Sequence, residues 1–260
     1  MNPKLDNPNR IAAEASRCCC AAIHSRAFTI LELLIVIAII SILAGLLLPA
    51  LARAKSKAQQ TACVSNLRQM GIAFQLYEDD SSDQFPSPGS AGVYGPQPED
   101  WIWWQYGRDI QKSAIAKYVG RFSAALFTCP MDRDAQTLQN QGNLPNDPYR
   151  YSYSLTSYDL VTPSGNGTPA NPGMSTIITK ARVVYPFKNT QINNASAKIM
   201  LVEESRATIN DSRWVPDNAT GGNLITTRHN GKGDIIFADS HIEPETPEFG
   251  RNPANSKPTF

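Results

Sequence analysis

The hydrophobic residues of this chain are concentrated in one early stretch. Between Leu33 and Ala52 no residue is charged, and the acidic Glu32 directly precedes this stretch. In a helix, about 20 apolar residues are enough to cross roughly 30 Å of hydrocarbon. The pattern therefore predicts one membrane-length helix with a carboxylate near its start.

After this stretch, apolar residues recur at steps of three and four, namely at Cys63, Leu67, Met70, Phe74 and Tyr77. Such spacing is typical of an amphipathic helix with one apolar face. We predict one helix from about Phe28 to about Tyr77, on the order of 75 Å long at 1.5 Å per residue. Pro49 is expected to kink this helix or open one turn, because proline lacks an N–H and clashes with the preceding turn.

Beyond Ser81 the pattern changes from helical to strand-like. Residues 81–148 indicate loops with a short helical piece at 112–120. Strand-like stretches follow at 149–155, 197–205, 223–229 and 233–240. "HNGKG" between the last two predicts a hairpin turn, and 241–245 a third short strand. A long helix followed by antiparallel strands predicts an α+β fold.

Composition and charge narrow the class of protein. The formal net charge is +1 and charged residues make up 18%, so no strong field attracts nucleic acid. A mean hydropathy of −0.30 argues against a polytopic membrane protein. The chain has three histidines, and a P-loop, a nucleophile elbow and an HExxH motif are all absent from its sequence. We therefore expect neither enzymatic activity nor a nucleic-acid partner.

The start of the apolar stretch resembles a known processing signal. "FTILE", from Phe28 to Glu32, follows a polar and net basic segment. This arrangement resembles the class III signal of type IV prepilins and type II secretion pseudopilins. The resemblance implies cleavage between Ala27 and Phe28 by a prepilin peptidase and N-methylation of Phe28. The family usually has glycine where Ala27 stands, and the extra methyl group is expected to slow cleavage.

Three later stretches resemble a subgroup of pseudopilin-like proteins. They are "CVSNLRQMGIAFQLYEDD", "FTCPMD" and the ten-residue step from His229 to Asp239. The last is similar to a His-x9-Asp-Gly pattern, with Ser240 in place of the glycine. The resemblance implies a long helix carrying a C-terminal β-sheet head, as in pilins.

The resemblance also implies a domain organisation and a location. The expected parts are a leader at 1–27, a transmembrane and filament-core helix at 28–52, an amphipathic stalk helix at 53–80, a head at 81–248 and a disordered tail at 249–260. We expect a single pass through the inner membrane, with the N-terminus cytoplasmic and the head periplasmic. The implied partners are copies of this chain, other pseudopilins, the prepilin peptidase, an inner-membrane assembly platform and the membrane itself.

A carboxylate close to hydrocarbon is unfavourable unless it is paired. Cleavage would create a new α-amine at Phe28, and in a filament this amine could pair with Glu32 of a neighbouring subunit. Such a pair would favour one axial stagger, as a buried polar residue sets the register of a coiled coil. The alternative is that Glu32 reaches the interface of an ordinary membrane anchor.

Removal of the leader would leave two of the five cysteines, Cys63 and Cys129. Because disulfides persist outside the cytoplasm, we predict a Cys63–Cys129 disulfide, with two buried free thiols as the alternative. We expect no cofactor. Weak candidates for a calcium or transition-metal site are Glu203, His229, Asp234 and Asp239. The simpler interpretation is that His229 enters one turn and Asp239 starts the next.

Two alternatives to a structural subunit remain open. One is a membrane-anchored extracytoplasmic binding module that does not form filaments and captures a ligand with "EDWIWWQY" at 99–106. Such a tryptophan cluster is more often core, and we favour that interpretation. The other is a tethered hydrolase that uses His229 and nearby acids.

Overall fold

The computed structural model describes residues 28–89, 97–105, 108–120, 123–132, 151–157, 163–164, 168–169, 173–178, 182–216 and 222–256. Its contacts divide the chain into two units, Met1–Ala50 and Leu51–Phe260. The helix α1 runs from Ile30 to Asp80 and continues through Pro49. The predicted single helix is thus confirmed, to within about three residues at each end.

In the first unit, α1 presents its apolar side chains outward. Every large hydrophobic residue from Phe28 to Leu48 is exposed. Within the described residues, α1 is the helix that is long and apolar enough to cross a membrane, by length and composition. An exposed apolar surface of this extent requires lipid or another protein chain around it.

In the second unit, the C-terminal part of α1 packs on the core of the head. Cys63, Leu67, Met70 and Phe74 are fully buried. The ring centroids of Phe74 and Trp101 lie 5.9 Å apart. The predicted apolar face is therefore confirmed as the contact between this helix segment and the head.

The described part of the head contains nine short strands. They are β1 (Tyr153–Thr156), β2 (Pro163–Ser164), β3 (Thr168–Pro169), β4 (Ile177–Ile178), β5 (Val184–Tyr185), β6 (Ile199–Glu203), β7 (Arg213–Trp214), β8 (Gly233–Phe237) and β9 (Ile242–Glu245). Five form one sheet in the order β7-β1-β6-β8-β9, and the others form two pairs, β2-β3 and β4-β5. The sheet is antiparallel except that β1 and β7 are parallel. The α+β class is confirmed, with a mixed rather than purely antiparallel sheet.

The central strands are covered on both faces. Ile236 of β8 belongs to the core shared with α1, whereas Ile235 and Phe237 belong to a second apolar cluster with Trp214. This division follows from the period of two along a strand, which sends successive side chains to opposite faces. Short 3-10 helices surround the sheet at Ile110–Lys112, Ala116–Tyr118, Ala124–Phe127, Asn189–Gln191 and Ala195–Ala197.

The predicted turn before β8 is confirmed. His229 and Lys232 exchange backbone hydrogen bonds of 2.9 and 3.2 Å. Asn230 and Gly231 between them both have positive φ, 55° and 87°, as a two-residue type I′ hairpin turn requires. The predicted strand at 223–229 is wrong, because only isolated bridges at Ile225 and His229 occur there. Instead, this segment hydrogen-bonds to the end of β6, with Thr226 N donating to Glu203 O at 2.9 Å.

The disordered tail predicted at 249–260 is a further difference. The structure has two short helices there, α2 (Pro247–Arg251) and α3 (Pro253–Ser256). Phe249 packs edge-on against Phe237, and Lys198 Nζ donates a 2.5 Å hydrogen bond to Ala254 O. These residues are ordered because they cover the second face of the sheet. Residues 257–260 lie outside the described residues.

Candidate functional site

The first candidate site is the start of α1. Thr29 N and Thr29 Oγ1 each donate a 2.9 Å hydrogen bond to Oε2 of Glu32. Glu32 N donates in return to Thr29 Oγ1 at 3.2 Å. This reciprocal pair is a capping box, in which the side chains satisfy backbone N–H groups that the first helical turn leaves free.

The capping box gives Glu32 a local role that the sequence analysis missed. The signal was present, since Thr-x-x-Glu before an apolar run is a capping pattern. A carboxylate at this place is also favoured by the positive end of the helix dipole. Phe28, the predicted first residue after cleavage, directly precedes the cap and is exposed. Ala27 lies outside the described residues.

The second candidate site is a buried cluster in the head. It contains Cys63, Cys129, Glu203 and His229, whose ligand-type atoms all lie within 4.8 Å of one another. Sγ of Cys129 lies 3.5 Å from Nε2 of His229, and Oε2 of Glu203 lies 2.9 Å from the same nitrogen. Sγ of Cys63 lies 3.8 Å from Oε1 of Glu203. We call these four residues the Cys–His–Glu cluster.

Four distant parts of the chain supply this cluster. Cys63 lies on the buried face of α1, and Glu203 ends β6. Cys129 follows the 3-10 helix Ala124–Phe127, and His229 begins the hairpin turn before β8. His229 therefore enters a turn, as predicted, while its side chain points inward and is fully buried.

The two cysteines of the predicted disulfide meet in this cluster. Both are buried free thiols in the structure. Their sulfur atoms lie within 4.8 Å of each other, compared with about 2.05 Å in a disulfide. The disulfide stays a prediction.

Arg228 is a contributor that the sequence analysis missed. Its guanidinium lies 2.7 Å from Oε1 of Glu203 and 3.1 Å from Oδ2 of Asp132. Both carboxylates are almost fully buried. The sequence did contain a signal for this role, namely an arginine directly before His229. Carboxylates that become buried are usually paired with such a cationic side chain.

The charges of the cluster are tightly linked. The hydrogen bond between the two thiols raises the pKa of Cys63 and lowers the pKa of Cys129. Burial opposes charge on His229, but hydrogen bonds to Cys129 and Glu203 outweigh it and raise the pKa of His229 to about 10. Burial also opposes charge on Glu203, yet His229 and Arg228 hold its pKa below the usual value. Protonated His229 therefore stabilises the ionised forms of both Cys129 and Glu203, whereas the charge of Glu203 opposes ionisation of Cys129.

The structure brings three of the four predicted metal-site candidates together and places the fourth, Asp239, elsewhere. Glu203 and His229 belong to the cluster, and Oδ2 of Asp234 lies 3.6 Å from Nε2 of His229. Asp239 is not part of the cluster: it contacts Nδ1 of His241 at 2.5 Å and accepts from His241 N, so it serves the turn after β8 as predicted. Two sulfur atoms do not suit calcium, which prefers oxygen ligands.

The arrangement around His229 differs from a catalytic triad. In a triad, the nucleophile and the acid contact different nitrogens of the imidazole. Here Cys129 and Glu203 both approach Nε2. The cluster is also closed to solvent, with exposures of 4% or less. The geometry is therefore not that of a Ser-His-Asp type triad, and the four side chains are of the types that could hold a metal ion.

The tryptophan segment belongs to the core, as favoured from the sequence. Trp101 is fully buried and Trp104 is 2% exposed. Their indole N–H groups donate to Ser212 O at 3.1 Å and to Gly89 O at 2.8 Å. Trp103 is partly buried, and the Arg108 guanidinium lies 3.5 Å from its ring centroid. The tryptophans of this segment therefore pack in the core of the head and do not form an open aromatic surface.

Comparison with known protein families supports the first site. Residues 24–48 match the family model of the prokaryotic N-terminal methylation motif. The chain therefore carries a type IV prepilin-like class III signal, and this motif supports a pilin- or pseudopilin-like precursor. The motif marks a class of structural, generally non-enzymatic proteins. Neither the curated proteins nor the solved structures give a match, and the subgroup resemblance stays a prediction.

Proposed function

We propose that this chain is a structural subunit of a type II secretion or type IV pilus-like filament. A prepilin peptidase cleaves it between Ala27 and Phe28, and the new N-terminus at Phe28 is methylated. An inner-membrane platform then assembles it with copies of itself and other pseudopilins. The methylation motif at 24–48 followed by the uncovered apolar surface of α1 carries this proposal.

The proposed organisation has a leader, a membrane anchor, a stalk segment and a head. Residues 1–27 are the leader, and 28–52 form the membrane anchor that becomes the filament core. Residues 53–80 hold the head on the stalk, and the head faces the periplasm. The subunit acts by packing and not by catalysis.

The carboxylate of Glu32 has two successive partners in this proposal. In the single subunit it caps α1 through Thr29. In the filament it pairs with the α-amine of Phe28 in a neighbouring copy. Each unpaired charge in a low-dielectric bundle would be unfavourable by several kcal/mol, so the pair selects the stagger in which both are neutralised.

Two substitutions distinguish the helix-capping role of Glu32 from the role of its negative charge in assembly. Glu32→Gln keeps the capping box, because glutamine can replace glutamate there, but removes the negative charge. Thr29→Ala removes the cap, at about 1 kcal/mol of helix stability, but keeps the charge. Assembly is measured by photo-crosslinking from a reactive residue at Leu46 in intact cells, and cleavage by the mass of the envelope protein.

We expect Glu32→Gln to be inserted and cleaved normally. It should lose at least about nine-tenths of its crosslinks, which corresponds to a loss of about 1.4 kcal/mol or more in the free energy of association. Thr29→Ala should retain most of them. If Glu32→Gln crosslinks as the unsubstituted chain does, the proposed charge pair is wrong. If the unsubstituted chain forms no crosslinks between copies, the alternative of a membrane-anchored binding module replaces the filament subunit.

A further inference from the structure

The distances within the Cys–His–Glu cluster fit one tetrahedral metal ion. With Zn–S near 2.3 Å and Zn–N near 2.0 Å, tetrahedral angles place sulfur and nitrogen about 3.5 Å apart. Sγ of Cys129 and Nε2 of His229 are 3.5 Å apart. A sulfur and a carboxylate oxygen should be about 3.6 Å apart by the same geometry. Cys63 Sγ lies 3.8 Å from Glu203 Oε1, whereas Oε2 is the oxygen that contacts His229, so the carboxylate would have to turn to offer one oxygen to both. His229 and Glu203, at 2.9 Å, would need to separate by about half an ångström.

The chemistry of the four side chains indicates which ion fits. Two thiolates and an imidazole favour zinc and similar borderline metals over calcium or magnesium. Four protein ligands in a site closed to solvent are typical of a structural zinc site, since catalytic sites keep a place for water.

The charge around the cluster also suits a divalent cation. Two thiolates, one carboxylate and Zn²⁺ sum to a single negative charge. The Arg228 guanidinium lies 2.7 Å from the carboxylate of Glu203 and so offsets that charge. The four ligands, the ion and Arg228 therefore sum to zero, and the carboxylate of Asp132, which the same guanidinium contacts, leaves one negative charge.

Neighbouring groups hold the ligand atoms in place. The Tyr153 hydroxyl lies 3.0 Å from Sγ of Cys63. Met131 N donates to Sγ of Cys129 at 3.4 Å, and Asp234 N donates to Oε2 of Glu203 at 3.3 Å. Such outer contacts orient metal ligands and tune their affinity.

From these observations we propose that Cys63, Cys129, Glu203 and His229 bind one structural Zn²⁺ ion. The ion joins the amphipathic part of α1 to β6, to the segment after Ala124–Phe127 and to the hairpin turn. It fixes the stalk segment on the sheet of the head. A disulfide between the two cysteines would use only two of the four converging side chains, whereas the ion uses all four.

The test uses the full chain in detergent with Cys18, Cys19 and Cys20 replaced by serine, so that Cys63 and Cys129 are the remaining thiols. The protein is reduced, stripped of metal and titrated with Co²⁺, and Zn²⁺ then competes for the site. We expect one Co²⁺ per chain, the visible absorption of tetrahedral cobalt, and a near-ultraviolet band from sulfur ligation. Zn²⁺ should abolish these bands and raise Tm by several degrees.

Substitutions of the proposed ligands test where the ion binds. Cys129→Ser and His229→Gln should weaken Co²⁺ binding at least about 100-fold. The matched control is His241→Gln, which changes the partly exposed histidine beside Asp239 and should bind as the parent does. Because a variant could fail to fold, tryptophan fluorescence checks the head, and the cobalt spectrum of the parent chain reports sulfur ligation independently.

Two results would overturn the proposal. One is that the reduced parent chain binds no Co²⁺ or shows no sulfur band. The other is that protein isolated from envelopes with its thiols blocked has a Cys63–Cys129 disulfide and contains no zinc by elemental analysis. Neither result bears on cleavage or assembly, so the filament proposal is tested separately.

Discussion

Arg228 donates a 2.7 Å hydrogen bond to Oε1 of Glu203 inside the head. The side chain of Arg228 is 12% exposed and that of Glu203 is fully buried. The same guanidinium contacts the buried carboxylate of Asp132. One guanidinium is thus shared by two carboxylates that the fold has removed from water.

We predict that Arg228→Met destabilises the head by about 3–5 kcal/mol, because the buried carboxylates of Glu203 and Asp132 lose the cationic partner that they share. The free energy of unfolding is measured by denaturant titration in detergent, with tryptophan fluorescence as the probe. The control is Lys117→Met, which removes a 4.0 Å pair with Asp80 in which both side chains are about two-thirds exposed. That change should cost far less than Arg228→Met, because an exposed ion pair in water contributes little. Equal losses in the two variants would contradict the assigned role of Arg228.

Glu204 should make the head less stable as the pH rises. Burial raises the pKa of Glu204 to about 8, although Asn223 Nδ2 donates a 2.5 Å hydrogen bond to it. A carboxylate whose pKa is raised on folding contributes stability below its unfolded pKa of about 4.5, and this contribution is lost as the pH rises through about 8.

We therefore predict that Glu204→Gln removes part of this pH dependence. Relative to the unsubstituted chain, the variant should gain a few kcal/mol of stability between pH 5 and pH 9. Unfolding at both pH values measures the gain. Glu243→Gln, at an exposed residue of β9, is the control and should show no such gain. A parallel pH dependence for Glu204→Gln and the unsubstituted chain would show that Glu204 is not buried in its charged form.

Trp101 should be one of the most sensitive core residues. It is fully buried, its indole N–H donates to Ser212 O, and its ring packs against Phe74 and Phe127. Trp101→Ala should cost about 3–5 kcal/mol by leaving a cavity. Trp103→Ala, at a partly buried ring, should cost clearly less. The reverse order in thermal unfolding would contradict the packing of this segment.

Ala27 should limit the rate of processing. Replacing it with glycine removes the methyl group that the class III signal usually lacks, so Ala27→Gly should raise the cleaved fraction of newly made protein several-fold. Pulse-labelling followed by electrophoresis measures that fraction. An unchanged cleaved fraction would show that alanine is fully accepted at this place.

The helix and the hairpin could be predicted because their causes are local. The spacing of Cys63, Leu67 and Phe74 is itself the apolar face of α1. Asn230 and Gly231 are the residues that a type I′ turn needs. In both cases a few neighbouring residues determine the structure.

The Cys–His–Glu cluster could not be predicted in this way. Its members come from four distant parts of the chain, so no spacing pattern in the sequence predicts it. The parallel pairing of β1 with β7 could not be predicted either, because it joins residues far apart in the sequence. The short helices at the C-terminus were also missed, because their position depends on the packing of Phe249 against the second apolar cluster. Long-range packing decided each of these features.

The central claim is that the chain is a precursor whose mature form begins at Phe28. Mass spectrometry of the protein extracted from cell envelopes measures the N-terminus directly. We predict N-methylated Phe28 as the first residue of the major species. A major species that retains residues 1–27 would contradict the account.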